Sequence, residues 1–120
     1  MRGHKSDIAR LRHMLDYARK AVNFSRSRSR ADFDADEILS LATIQAIEIL
    51  GEAAIFISPE LRKRHSDIPW DLISGTRNRL IHGYIDVDLD IIWTIIKHDL
   101  PPLIKKLERI ISEENRRPSS

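Results

Sequence analysis

The stretch from Asp36 to Ile57 leaves this chain few ways to fold. It reads as one helix whose apolar residues go nearly all the way round: Ile38, Leu39, Leu41, Ala42, Ile44, Ala46, Ile47, Ile49, Leu50, Ala53, Ala54, Phe56 and Ile57. A helix apolar on most faces has to be buried on most faces. One polar stripe interrupts it, formed by Gln45, Glu48 and Glu52 at steps of 3 and 4. A chain of 120 residues makes one domain with a single core. Such a small bundle has too little mass to bury a helix on every side. Part of this helix is therefore expected to meet a second subunit, which makes the protein a homodimer.

The remaining elements follow from periodicity and punctuation. From about Ser6 to Phe24, Ile8, Leu11, Leu15, Ala18 and Val22 repeat at 3 and 4 residues, one apolar stripe on a first helix with Ser6 as its N-cap. Ser25 to Ala35 is polar and without period, hence a loop. Ser58-Pro59-Glu60 is a start signal, a cap followed by proline in the first turn, for a short helix to about Arg64. Ile68-Pro69-Trp70 opens a third main helix that should run to Ile81 or His82, where Gly83 can take the left-handed conformation that ends it. Asp86-Val87-Asp88 caps a fourth, carrying Leu89, Ile92, Trp93, Ile96, Leu100, Leu103, Leu107 and Ile111. Pro101-Pro102 should kink or split it. The fold expected is all-α: an up-and-down bundle of four main helices plus a short one, with a core over residues 6–112 and a frayed polar tail from Glu113 to Ser120.

Charge and composition narrow the function. Hydrophobic residues are 42% and charged residues 32%, the balance of a helix-rich globular domain rather than a disordered chain. No apolar run reaches the roughly 18 residues of a membrane span. No apolar stretch of a signal peptide follows Met1-Arg2-Gly3-His4-Lys5. With no cysteine, disulfides, thiolate metal sites and cysteine nucleophiles are excluded, and a cytoplasmic location is expected. The net charge of +2 says little about nucleic acid. Its distribution says more, with basic clusters at Arg26/Arg28/Arg30, at Arg62-Lys63-Arg64-His65 and at Arg77/Arg79. Each cluster can equally be a solvated loop or helix end.

The third cluster belongs to Arg77-Asn78-Arg79-Leu80-Ile81-His82-Gly83-Tyr84. Arginine is a permanent cation with a planar fork matched to phosphate. Histidine takes and gives a proton near neutral pH. Together they suit phosphodiester chemistry without a metal. Arg77 would hold the phosphate and stabilise the charge growing on its oxygens. His82 would take the proton of the 2′-hydroxyl or give one to the leaving 5′-oxygen. Asn78 could orient His82 or donate to a phosphate oxygen, and Arg79 could bind the RNA backbone. On one ideal helix Arg77 and His82 stand roughly 140° apart. Either Gly83 unwinds the helix end, or a second subunit brings its own motif alongside. The competing structural reading is that these cations merely complement a helix C-terminus.

The spacing resembles that of the HEPN ribonucleases, and among them the HepT-like toxins of HEPN–MNT toxin–antitoxin pairs, whose signature is Arg, four residues, His, any residue, Tyr. Arg77, His82 and Tyr84 match it without a gap. The resemblance extends over Ala46–Ala54, the Ile68-Pro69-Trp70 opening and the Asp86-Val87-Asp88-Leu89-Asp90 continuation, covering residues 6 to 110. It implies a HEPN-type bundle, a metal-independent endoribonuclease without a cofactor, and two motifs lining one cleft of a dimer. It implies a partner as well, a minimal nucleotidyltransferase antitoxin (MNT) that transfers AMP from ATP to the motif tyrosine, here Tyr84. The RNA could be tRNA or mRNA, with tRNA favoured. The alternative is a HEPN module that binds nucleotide or RNA without cleaving it.

Other features carry less. His4, His13, His65 and His98 are scattered and read as surface residues. Asp86, Asp88 and Asp90 read as helix caps rather than a cation site, so no metal is expected. Gln45, Glu48 and Glu52 either face a solvent groove or hold Arg77 across the bundle through buried acids.

Overall fold

The computed structural model describes residues 2–76 and 88–118, with side chains from residue 5 onward. The described residues are helical throughout their regular structure and contain no strand. In chain order they form α1 (Arg2–Ser25), α2 (Arg30–Ala35), α3 (Glu37–Ile55), α4 (Pro59–Arg64), α5 (Trp70–Ser74), α6 (Leu89–Thr94), a π-helical turn (Ile95–Asp99) and α7 (Leu100–Arg116). The fold is the all-α class expected.

Helices α1 and α3 make the most extensive pairing, and α7 lies on the other flank of α1. The seam is built from Leu11, Met14, Ala18 and Ala21 on α1 and from Ala46, Ile47, Leu50 and Ala54 on α3, all buried. The alanines let two backbones approach closely. Leu100, Leu103, Leu107 and Ile110 close the core from α7. By length and composition α3 could cross a membrane, yet 56% of its apolar window is buried inside the protein, as in a core helix.

The punctuation read from the sequence is largely in place. Asp36 caps α3, its carboxylate accepting from the Leu39 amide at 3.0 Å. Ser58 caps α4 with Pro59 in the first turn. Asp88 caps α6 by accepting from the amides of Asp90 and Ile91. The fourth helix is split as expected, and the split has a definite form. Pro101 and Pro102 occupy the start of α7, and the Leu100 amide reaches back five residues to the Ile95 carbonyl. Prolines are acceptable in a first turn because their missing N–H is not needed there.

Five expectations need correction. The polar stretch 25–35 is not all loop. Ser29 and Asp32 form a reciprocal capping box that starts α2, and Phe33 anchors it against Trp93 edge to face, ring centres 5.5 Å apart. Helix α1 begins at Arg2, so Ser6 is interior rather than its cap. The long third helix is interrupted: α5 ends at Ser74 with Gly75 as its C-cap, and the expected continuation from Arg77 to Ile81 or His82 lies outside the described residues. Helix α7 runs on to Arg116, through the expected tail. His65 is not a surface residue: it is 8% exposed.

The last two corrections share a cause. Glu114 is 1% exposed, near the end of α7. Its carboxylate accepts from Arg64 Nη2 at 2.9 Å and lies 2.7 Å from His65 Nε2. Trp70 Nε1 in turn donates to the His65 carbonyl at 3.0 Å. Nearby, Arg109 and Lys106 reach Asp67, so α7 clamps the whole turn from residue 64 to residue 70. Burial alone would push the Glu114 carboxyl up. The hydrogen bonds from Arg64 and His65, with the Arg64 charge, outweigh it and hold the group down at about 2.

That shift fixes a pH dependence. A carboxyl held below its ordinary value stabilises the fold fully above about pH 4.5, and the contribution fades as pH falls toward about 2. Its size is about 3 kcal/mol by the linkage of pKa to stability. We expect Glu114→Gln to lose roughly that amount in urea unfolding at pH 7, and the gap to wild type to shrink at pH 3. Equal urea midpoints at pH 7 would show that the carboxylate is not what holds α7 to the turn.

Candidate functional site

Arg77, Asn78, Arg79, His82 and Tyr84 lie outside the described residues, as do Gly83 and Asp86. What the structure gives is the frame on either side of them. On the leading side α5 rests on α3 at Gly51. A Cβ built there would stand 3.0 Å from the Ile73 carbonyl oxygen, so a larger residue would lift α5 away. Thr76 follows, buried, its hydroxyl donating to the Leu72 carbonyl at 3.0 Å. On the trailing side the chain resumes at the Asp88 cap. Arg30 ties α6 to α2 by donating to Asp90 at 2.8 Å. Both ends of the motif segment are thus fixed to the core.

Beside the leading anchor is a cavity of about 220 Å³ between α3, α5 and the π-helical turn. Ile47, Leu50, Ile73, Ile95 and Leu103 line its floor, and Thr76 stands in its wall. Nothing in the sequence pattern announces this cavity, since its walls come from elements far apart in the chain.

The basic clusters resolve mainly into structural contacts. Arg62 donates to the carbonyls of Ala54 and Ile55 and so closes the end of α3. Arg64 holds Glu114, and Arg30 bridges Asp34 and Asp90. Arg10 stacks its guanidinium over Phe56 at 5.1 Å. Asp7, buried, accepts from both the amide and the hydroxyl of Ser58, which ties the start of α1 to the α3–α4 turn. Among the described residues no group of three His, Asp or Glu side chains is arranged to hold a metal ion.

The polar stripe of α3 faces outward. Gln45 and Glu52 are exposed and Glu48 is half-buried, so the reading of two buried acids does not hold for Glu52. The same face carries large apolar side chains at both ends: Ile38 is 82% exposed, Leu41 57%, Ile55 50% and Phe56 58%. The surplus of apolar surface inferred from the sequence is therefore present.

Comparison with known proteins decides the family. The profile described as "Ribonuclease HepT-like" matches residues 14–110. The chain belongs to the HepT-like ribonucleases. Among its relatives, a protein named "Putative RNase" from Caldanaerobacter subterraneus is 36% identical over 87% of this chain and 93% of its own. A "Putative RNase" from Methanocaldococcus jannaschii is 33% identical over 87% and 96%. A "Probable ribonuclease HepT" from Thermococcus cleftensis is 34% identical over 91% and 96%. No solved structure matches the chain. The enzyme class is that of a ribonuclease, and the resemblance read from the motif is correct at the level of the family.

Proposed function

We propose that this HepT-like ribonuclease is a metal-independent endoribonuclease toxin that acts in the cytoplasm, on tRNA in preference to mRNA. The observation that carries the reading is the ungapped Arg77-x4-His82-x-Tyr84 within the stretch that matches the family. In the proposed step the 2′-hydroxyl oxygen attacks phosphorus and the bond to the 5′-oxygen breaks. His82 takes the 2′ proton or delivers one to the leaving oxygen. Arg77 neutralises the charge on the phosphoryl oxygens, with Asn78 and Arg79 as supporting contacts. The products are a 2′,3′-cyclic phosphate and a 5′-hydroxyl.

The site is proposed to be shared by two copies. At 100° per residue, Ile38, Leu41, Gln45, Glu48, Glu52, Ile55 and Phe56 fall within an arc of about 100°. A two-fold axis near Glu48 would lay α3 antiparallel on its copy. Ile38 and Leu41 would then meet the partner's Phe56 and the partner's Ile55, apolar on apolar. The acids would gather at the centre, where charges removed from water need cations. Arg77 from each copy is the proposed source, which would also bring the two motifs to one cleft.

The antitoxin is proposed to be an MNT-type nucleotidyltransferase that attaches AMP to Tyr84. The added phosphate charge and bulk, two residues from His82, would exclude an RNA phosphate.

Arg77→Ala and His82→Ala should each abolish RNA cleavage and toxicity with the circular dichroism spectrum unchanged. Wild-type cleavage should persist in EDTA and leave cyclic phosphate ends, and cleavage that requires added magnesium would contradict the mechanism. Leu41→Asp should turn a dimer into a monomer in light scattering and remove cleavage. A wild-type monomer at micromolar concentration would end the shared-site reading. Incubation with the partner, ATP and magnesium should raise the mass by whole AMP units on the Tyr84 peptide and silence the enzyme. Tyr84→Phe should escape the modification, and AMP mapped to another residue would overturn that switch.

A further inference from the structure

We infer that the cavity beside Thr76 is a nucleobase pocket that seats a purine of the RNA strand through that base's N–H donors. Its place in the reaction rests on the proposed motif at Arg77 and His82, whereas the pocket itself is built from described residues alone.

Size and walls come first. At about 220 Å³ the cavity can take one ring system and is too small for a helix or strand of another chain. Its floor is aliphatic and belongs to four separate elements, so it is rigid and sheds water from the flat faces of a heterocycle. Sites that take up single bases combine such apolar walls with polar groups at the base edge.

The rim supplies acceptors. Asp99 ends the π-helical turn with helical backbone angles, and the two positions beyond Leu100 are Pro101 and Pro102, which have no N–H to offer a nearby carboxylate. Asp99 makes no capping bond, and among the described residues its carboxylate has no partner. The same prolines deny the Lys97 and His98 carbonyls the donors that an α-helix would place four residues on. His98 and Asp99 both border the cavity. Thr76 uses its proton on Leu72, which leaves its oxygen free to accept. An acceptor-rich edge suits guanine, with N1–H and a 2-amino group, or adenine, with its 6-amino group. Uracil has no amino group and fills less of the space.

Place completes the argument. Thr76 is bonded to Arg77, so a base in this cavity belongs to a nucleotide beside the phosphate that the motif would hold. A side chain from a second copy is the poorer occupant. Ile47 and Leu50, in the floor, sit on the opposite side of α3 from its exposed stripe.

Protein labelled at isoleucine and leucine methyls, titrated with GMP, AMP and UMP, tests the pocket directly. Saturable shifts are expected at Ile47, Leu50, Ile73, Ile95 and Leu103 with GMP or AMP, and binding at least about tenfold weaker with UMP. Asp99→Asn should weaken purine binding about tenfold, and Leu72→Trp, at the exposed mouth, should block it. Both changes are at exposed positions, so the fold is expected to survive. In a second arm, uridine-rich oligonucleotides with a single purine should be cut beside that purine, and Asp99→Asn should erase the preference. Silent methyls, equal response to UMP, or contacts from a second copy's side chains in the cavity would overturn the pocket. RNA cut without purine preference while the methyls stay silent leaves the motif standing and the pocket refuted. Methyls that respond in a protein that cuts no RNA do the reverse.

Discussion

Helix α3 carries more apolar surface than the described residues cover, and the rest of the structure is arranged around that mismatch. Helix α1 covers one side through a seam of alanines and leucines that permits close approach. Helix α5 covers another by lying across Gly51, where no side chain intervenes. Helix α2 covers the start. What remains uncovered is a stripe along the outer face, apolar at its ends and polar in its middle. An apolar area of this extent, rimmed by polar groups, marks an association surface more often than bare solvent contact.

The second organising element is polar. A buried carboxylate costs free energy unless charge and hydrogen bonds compensate it. Glu114 receives both from Arg64 and His65, and the same turn presents Trp70 at the head of α5. The far end of α7 thereby sets where α5 begins, and α5 leads into the motif segment. Removing Glu114 would take the ion pair from Arg64 and the 2.7 Å contact from the buried His65 together, so the carboxylate is the hub of the cluster. At the near end of α7 the prolines force a π-helical turn. Such turns are frequent at functional sites because they re-aim side chains without ending the helix. Here the turn places His98 and Asp99 at the rim of the cavity.

Most of the architecture was legible because it rests on local chemistry. Asp36, Ser58-Pro59 and Asp88 mark helix starts by the bonds their side chains make to nearby amides, and periodicity marked the seam. The basic motif and its neighbours were enough to reach the family. What the pattern hid was of two kinds. Helix α2 is too short for a period and owes its existence to a capping box and one buried ring, Phe33. His65, Glu114 and Asp7 are polar residues whose burial depends on partners 49 to 51 positions away. No window along the chain can show such a pairing. The charges at Arg62, Arg64 and Arg30 were open to two readings, a surface for nucleic acid or solvated loops and helix ends, and each is engaged by a carbonyl or a carboxylate of the fold itself.

The two ends of the motif segment are fixed by different means, and the difference bears on function. Before Arg77 the constraint is steric, a carbonyl against a glycine, with a buried threonine behind it. After residue 87 it is a cap and an ion pair reaching α2, backed by the buried Ile92 and by Trp93 packed edge to face on Phe33. Close-packed contacts define distance sharply, whereas exposed ion pairs contribute little and yield readily. Both ends therefore carry close-packed contacts to the core, and the exposed ion pair adds little to the trailing one. Proposed phosphate binding by Arg77 and base seating beside Thr76 both belong to the leading end of the segment, and proposed modification at Tyr84 lies closer to the trailing end. On that division, precision in substrate placement and openness to regulation need not compete for the same contacts.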